Sequence, residues 1–324
     1  MSKLRAGVIG VGYLGNFHAQ KYAALEDIEL VGVADANIER AKEIASELST
    51  KAFADYSDLI SQVDLVSIVV PTDLHHSIAR DCLNSDVHIL LEKPVTITVA
   101  EAEELIDLAK KKNRVFQVGH LERFNPAIMA LDGKMNNPMY VESHRLAPFK
   151  IRGTDVNVVM DLMIHDIDII LNLVQSEIKS VSAVGVPVLS GDVDIANARL
   201  EFVNGCVANV TASRVSREGM RKLRIFQPDA YFSIDYNDRE ITMASKKNDE
   251  VDDQGIPVIS VEKENFEQAD ALMSEIKAFI DSIKTGKPPV VSGEDGKRAL
   301  EVALTINKDI QITNDASQVM AMSQ

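Results

Sequence analysis

Along the first part of the chain, short apolar runs alternate with longer stretches in which apolar positions recur at helical spacing. The runs are "RAGVIGVG" (5–12), "IELVGVAD" (28–35), "LVSIVV" (65–70), "VHILLE" (87–92) and "VFQVG" (115–119), and helical pattern fills 13–25, 75–84 and 99–112. Strand, helix, strand in repetition predicts a parallel, doubly wound α/β sheet covered by helices. Ligands of such sheets bind beyond the carboxyl ends of the strands. Pro71 and Thr72, Glu92 and Lys93, and Gly119 with His120 follow successive strands and are the positions to examine.

The second half reads differently. In "IANARLEF" (195–202) Ala196, Ala198, Leu200 and Phe202 alternate with polar residues, "NG" (204–205) turns, and "VANVTAS" places Ala208, Val210 and Ala212 on one face. That is a hairpin with one buried face. "KKNDEVDDQG" (246–255) is polar enough to predict an exposed loop. Two domains are expected, 1–121 and 122–324, with the C-terminal helices free to pack back on the first.

One segment combines both characters. In "DLMIHDIDII" (161–170), Asp161, His165, Asp168 and Asn172 fall within an arc of roughly 60° on a helix, with Met163, Ile164, Ile167 and Ile170 on the far side. A narrow polar seam in apolar surroundings must have its carboxylates and imidazole paired with one another or facing a wet cleft. Asp166 lies off the seam.

The first strand runs into Gly10, Gly12 and Gly15, the G-x-G-x-x-G spacing between a strand and a helix, and the second strand ends at Asp35. Gly10 permits the tight turn, Gly12 lets a pyrophosphate approach the backbone, and Gly15 lets helix and strand pack closely. The loop and first helical turn (Gly10, Val11, Gly12, Tyr13, Leu14, Gly15) thus predict dinucleotide binding, with Asp35 accepting from the adenosine ribose. A 2′-phosphate would meet the charge of Asp35, so NAD is expected over NADP. Arg40 suits an NADP site by type, but it stands among Glu39 and Glu43 as a solvated helical pair would. Pro71, Thr72 and Glu92 complete the cofactor edge. His75, beside His76, joins them, although a histidine at a helix start is more often solvated. Lys93 leaves a buried strand at the active edge, where a lysine is an awkward packing choice; its bland alternative is a surface pair with Glu92.

Composition narrows the function classes. The chain has 324 residues, a formal net charge of −15 and two cysteines, Cys82 and Cys206. An acidic field repels polyanions and argues against nucleic-acid binding. No apolar run reaches the roughly 18 residues of a membrane span, and two distant cysteines without ligand spacing fit a reducing, cytoplasmic setting. No metal is expected. Against this background Arg145, Lys150, Arg152, Arg214, Arg217, Arg221, Lys222 and Arg224 stand out. They serve anion recognition or edge protection.

The glycine fingerprint, "EKP" (92–94), the D-x-x-x-H of Asp161 and His165, and "FIDSIKTGKPPVVSGEDGKRALEV" (279–302) together resemble the Gfo/Idh/MocA oxidoreductases. The resemblance implies an N-terminal Rossmann domain, a C-terminal α+β domain with a largely antiparallel sheet, and hydride exchange between a sugar hydroxyl and a nicotinamide. It makes Lys93, Asp161 and His165 catalytic. "VGHLERFNP" (118–126) with "DLMIHDIDI" is similar to the subgroup containing UDP-N-acetylglucosamine 3-dehydrogenases, which implies a nucleotide-sugar substrate, with a free sugar or polyol, or a non-catalytic regulator, as alternatives. His120, Arg123 and Asn125 then join Lys93, Asp161 and His165 at the substrate. The resemblance also implies a homodimer or homotetramer through the C-terminal sheet. Two departures stand out: Met163 occupies the family's usual glycine position, and "NVV" (157–159) replaces a Gly-Gly.

Imidazole is well matched to removing a hydroxyl proton near neutral pH. His165 is therefore the expected base, with Asp161 orienting it and Lys93 hydrogen-bonding the reacting oxygen.

Overall fold

The computed structural model describes residues 3–149, 156–251, 253–267 and 269–322. In chain order the elements are β1 (Leu4–Ile9), α1 (Tyr13–Ala23), β2 (Ile28–Ala34), α2 (Ile38–Glu47), β3 (Lys51–Phe53), α3 (Tyr56–Ile60), β4 (Leu65–Ile68), α4 (His75–Asn84), β5 (His88–Glu92), α5 (Val99–Lys112) and β6 (Phe116–Gly119). There follow α6 (Pro126–Met129), β7 (Tyr140–Leu146), a π-helical turn (Val159–Met163), α7 (Ile164–Val174), β8 (Ile178–Val186), β9 (Ile195–Phe202), β10 (Val207–Ser213), β11 (Met220–Phe226), β12 (Ala230–Asp235), β13 (Glu240–Val251), β14 (Pro257–Asn265), α8 (Ala271–Thr285) and α9 (Gly293–Met322). Residues 1–124 and 270–300 form one unit, and 125–269 with 301–324 the other. Residues 270–300, read from sequence into the second domain with helices free to pack back, thus belong to the first unit.

The first unit is built on a six-stranded sheet of order β3-β2-β1-β4-β5-β6, with every pairing parallel. Strands buried on both faces need apolar residues at successive positions, and β4 is buried throughout. The order reverses between β1 and β4, which places the ligand crevice of such a sheet beside the Gly10 loop. The helices at 75–84 and 99–112 lie where their patterns predict. Thr98 opens α5 in a reciprocal capping box with Glu101. Helix α8 contributes Leu272, Ile276, Phe279 and Ile280 to the same core as Val8, Tyr22, Val33 and Leu90.

The second unit holds an eight-stranded sheet of order β14-β13-β12-β11-β7-β10-β9-β8, antiparallel except for the β7–β10 pair. The predicted β9–β10 hairpin is present with Ala196, Ala198, Leu200, Phe202, Ala208, Val210 and Ala212 buried. Gly205 turns it at φ +88°. The polar stretch from 246 is not wholly a loop: β13 continues to Val251, with Lys246 opposite Ile259 and Val251 opposite Pro257. Backbone pairing in a long hairpin does not need an apolar face, so the polar side chains concealed it. Among the described residues no helix is long and apolar enough to cross a membrane.

Candidate active site

The first unit presents the cofactor edge. Gly10 sits at φ +84°, and a Cβ there would lie 2.3 Å from the Val69 carbonyl oxygen; one on Gly15 would lie 1.9 Å from that of Gly10. Both positions exclude any side chain. A Cβ on Gly12 meets nothing within 4 Å, and no side chain caps the N-terminus of α1. An open backbone crest beside uncapped helix N–H groups is what a pyrophosphate requires. Asp35 Oδ2 accepts from the Val11 N–H at 2.8 Å and Oδ1 from the Asn37 N–H at 2.9 Å. Arg40 pairs with Glu43 as expected, but its Nε also donates to the Val11 carbonyl at 3.0 Å. The Val11 N–H and carbonyl are therefore held by Asp35 and Arg40 respectively.

Beyond β4, Pro71 is exposed and Thr72 half-buried, whereas His75 is buried. Its Nδ1 lies 2.8 Å from the Pro94 carbonyl oxygen and its Nε2 2.9 Å from that of Val70. This corrects the reading of a solvated helix-start histidine: the imidazole ties the end of β4 to the turn carrying Lys93. Burial pulls its proton affinity down and outweighs the two carbonyls, so it stays below the ordinary histidine value. His76, paired with Glu104 at 3.0 Å, keeps the surface character.

Glu92 ends β5 and Lys93 follows it, half-buried, ahead of a cis peptide bond to Pro94. The Glu92 carboxylate turns inward: Oε1 lies 3.3 Å from His18 Nε2, and Oε2 accepts from the Lys93 N–H at 3.3 Å. The reading of Lys93 as half of a surface pair with Glu92 is thereby replaced. Burial pushes the Glu92 carboxyl up, but the hydrogen bond to His18 and the charges of His18 and Lys93 outweigh it and hold it below its usual value. Past β6, His120 is buried, as are Arg123 and Phe124. Arg123 lies 3.8 Å from Asp295 at the start of α9. Asn125 opens α6, in the second unit, by accepting from the Ala127 N–H at 3.0 Å.

In the second unit the seam is shorter than the helical pattern predicts. Asp161 lies in the π-helical turn, where Asn157 accepts from the Val159 and Met160 N–H groups at 3.1 Å each, so a uniform 100° spacing does not hold across it. His165 lies in the first turn of α7. Asp161, His165 and Asn172 are half-buried, while Asp168 is buried with the apolar residues. Met163 is fully buried, so its bulk enters the core. Asp166 finds its place there: Oδ2 accepts from Arg145 Nε at 2.6 Å and Oδ1 from Ser143 Oγ at 2.8 Å, tying α7 to β7.

Arg145 and Arg214 are therefore neither anion ligands nor edge guards. Arg214 Nε donates to Asp194 at 2.8 Å, and its terminal nitrogens donate to the Val156 carbonyl at 2.6 Å and to Ser190 Oγ at 3.0 Å. Burial pushes the Asp194 carboxyl up, but Ser190, Arg214 and the Leu189 N–H outweigh it and hold the group well below the carboxylate range. Lys222 pairs with Asp235 and Arg224 with Glu142 at 3.1 Å each, while Arg217 and Arg221 are exposed. Lys150 and Arg152 lie outside the described residues.

The sequence reading missed His18 and Glu275. Both lie on the buried stripes of α1 and α8, at positions flanked by Gly15, Ala19 and Tyr22 and by Leu272, Ile276 and Phe279. A charged group on such a stripe was the available signal.

Residues 4–120 match the model of the oxidoreductase family with an NAD-binding Rossmann fold, and 130–232 the GFO/IDH/MocA C-terminal domain. The chain is 42% identical to UDP-N-acetylglucosamine 3-dehydrogenase of Acidithiobacillus ferrooxidans over 96% of its length and 98% of the relative. This chain belongs to the Gfo/Idh/MocA family. A solved structure of the Acidithiobacillus enzyme superposes with a TM-score of 0.90 at 41% identity, covering 96% of this chain and 99% of that one. Myo-inositol 2-dehydrogenase of Thermotoga maritima is 28% identical over 95% of this chain and 96% of its own. The fold is shared with scyllo-inositol dehydrogenase from Lactobacillus casei, solved with NAD(H) and scyllo-inositol, at a TM-score of 0.80 and 21% identity over 96% and 98% of the two chains. The chain is an oxidoreductase of this family with a dinucleotide-binding Rossmann domain.

Proposed function

We propose that the protein oxidises the 3-hydroxyl of a UDP-N-acetylhexosamine, UDP-N-acetylglucosamine in the first instance, with NAD. The observation that carries this reading is the full-length likeness to the Acidithiobacillus dehydrogenase. The Gly10–Gly15 loop and Asp35 would hold NAD, which would supply the hydride acceptor. His165 takes the hydroxyl proton onto its imidazole as the C–H bond breaks, and Asp161 orients the ring and stabilises its charged form. The Lys93 ammonium donates a hydrogen bond to the reacting oxygen as negative charge gathers there. Glycines where side chains cannot fit and an uncapped helix start support the dinucleotide. Asp35 at the end of β2, with Arg40 already held by Glu43 and Val11, supports NAD over NADP. With Arg145 and Arg214 engaged internally, and Lys222 and Arg224 in ion pairs, the reading assigns the diphosphate to the exposed Arg217. It keeps self-association on the eight-stranded sheet, whose exposed Val184, Val186, Met220 and Phe226 are unusual for a solvated face; light scattering at several concentrations checks this.

The test is NADH absorbance across UDP-N-acetylglucosamine, other nucleotide sugars, inositols and glucose, with both cofactors titrated separately. The expected result is turnover of the UDP-sugar, tighter binding of NAD than NADP, and a loss of about 10²–10⁴-fold in rate for His165→Ala and for Lys93→Ala with NAD affinity kept. Ready oxidation of inositol with no response to UDP-sugars overturns the substrate, and equal NADP affinity overturns the role of Asp35.

A further inference from the structure

Behind Lys93 the first unit closes over three groups that the reaction does not touch. His18 on α1, Glu92 on β5 and Glu275 on α8 are buried, and one ligand-type atom of each lies within 4.8 Å of the others. Glu92 has partners in His18 and the Lys93 N–H. Among the described residues Glu275 has none at either carboxyl oxygen, while its backbone carbonyl accepts from Gln117 Nε2 of β6 at 3.1 Å. A chain of hydroxyls backs the imidazole: Tyr22 Oη lies 2.9 Å from Ser67 Oγ, which lies 3.0 Å from His18 Nδ1.

The hydroxyl chain reaches His18 Nδ1, and His18 Nε2 lies 3.3 Å from Glu92 Oε1. Two carboxylates this close in a dry interior do not both ionise. Their surroundings decide between them: the Lys93 N–H and the imidazole face Glu92, which takes the charge, and among the described residues no donor faces Glu275, which keeps the proton. The shifts agree: burial and then the charge of Glu92 push the Glu275 carboxyl well above its usual value, and burial raises the Tyr22 hydroxyl so that it keeps its proton.

We propose that His18, Glu92 and Glu275 form a buried positioning cluster for Lys93, in which Glu275 is a neutral acid at pH 7 and Glu92 alone carries the negative charge that faces the lysine. The role assigned to Lys93 rests on the function proposed above; the protonation pattern does not. Among the described residues the groups facing the cluster are Tyr22 and His18 from α1, His75 from α4, which feels the charge of Glu92, Glu92 and Lys93 from β5 and the turn after it, Gln117 from β6, and Glu275 from α8. His18, Glu92 and Glu275 are positioning residues. None is assigned a contact with substrate.

Infrared spectroscopy of the full chain with isotope-labelled glutamate reads the first half directly. The expected result is a buried protonated-carboxyl band at pH 7 that disappears in Glu275→Gln and remains in Glu92→Gln. Absence of the band, or its loss in Glu92→Gln alone, overturns the pattern, as does a stoichiometric divalent metal in the purified protein that is lost in Glu275→Gln. The second half is read without any substrate, by the rate at which trinitrobenzenesulfonate arylates Lys93, its sulfite leaving as the trinitrophenyl–nitrogen bond forms, followed by peptide mass mapping. Removing the facing charge in Glu92→Gln is expected to raise that rate several-fold, and Glu92→Asp to restore it in part. An unchanged rate overturns the link to Lys93. With an active substrate in hand, Glu92→Gln also lowers kcat with KM unchanged and moves the alkaline limb of the kcat profile to lower pH by about one unit, about 1.4 kcal/mol; an unmoved limb overturns the link as well. Failure of every substrate while the infrared and arylation results hold overturns the proposed function and leaves the cluster standing.

Discussion

In the second unit Arg145 meets Asp166, and Arg214 meets Asp194, inside the fold; in the first unit two glutamates, Glu92 and Glu275, lie near a single imidazole, and it is Glu92 that pairs with it. The arginine pairs each match one cation to one anion, and hydroxyls and backbone groups take up further hydrogen bonds. They tie a helix to a strand or a loop to a sheet. The glutamate cluster is left one cation short and one acid without partners, beside the lysine proposed to touch substrate. Buried charge that is fully answered holds structure in place, whereas buried charge left short is where a fold stores a protonation state.

The largest expected effect breaks an answered pair. Arg214→Ala leaves Asp194 buried and unpaired, and is expected to cost about 3–5 kcal/mol in urea unfolding. A cost below about 1 kcal/mol would mean that the second unit tolerates uncompensated charge and that the contrast between the units is false. The same pair has an acid limit. Asp194 is held below its unfolded-state value, so its contribution is full above that ordinary value and is lost progressively as pH falls below it toward the depressed folded value.

Glu275→Gln is the next largest and has the opposite sign. Glu275 binds its proton more tightly folded than unfolded, so its contribution to stability is full below the ordinary value of 4.5 and declines as pH rises, by up to about 1.4 kcal/mol per pH unit. Glutamine cannot titrate. The melting-temperature gain of the variant over wild type is therefore expected to grow between pH 5 and pH 8, and a gain independent of pH would show that Glu275 ionises in the fold. The smallest effect is a control. A double-mutant cycle on the exposed Lys42–Glu39 pair is expected to give about 0.3–0.5 kcal/mol, and a larger coupling would blur the distinction between exposed and buried pairs.

The same contrast explains what the sequence made legible. Central strands of a parallel sheet must be apolar at successive positions, so β4 and β5 announced themselves, and the Gly10 loop did so because a carbonyl oxygen forbids a side chain there. The outer hairpin of β13 and β14 is polar and mostly exposed, and its backbone pairing leaves no trace in side-chain pattern. Asp161, His165 and Lys93 were readable as chemistry out of place. Asp166 was not, because its meaning lies in Arg145 on another element, and neither were His18 and Glu275, whose neighbours in the cluster are remote in sequence. The π-helical turn at Val159–Met163 also shifted the helical face that even spacing had assigned.

The discontinuity of the first unit bears on how the chain is made. Its core includes Leu272, Ile276, Phe279 and Ile280, which follow the 145 residues from 125 to 269 that belong to the second unit. At about 5–20 residues per second, translation reaches α8 roughly 7–30 seconds after the sixth strand has been synthesised. For that interval the nascent sheet lacks one of its covering helices and exposes an apolar surface to the crowded vicinity of the ribosome. Chain order thus makes the N-terminal region the first synthesised and among the last completed, and a holdase at the exit tunnel has a defined window in which to act.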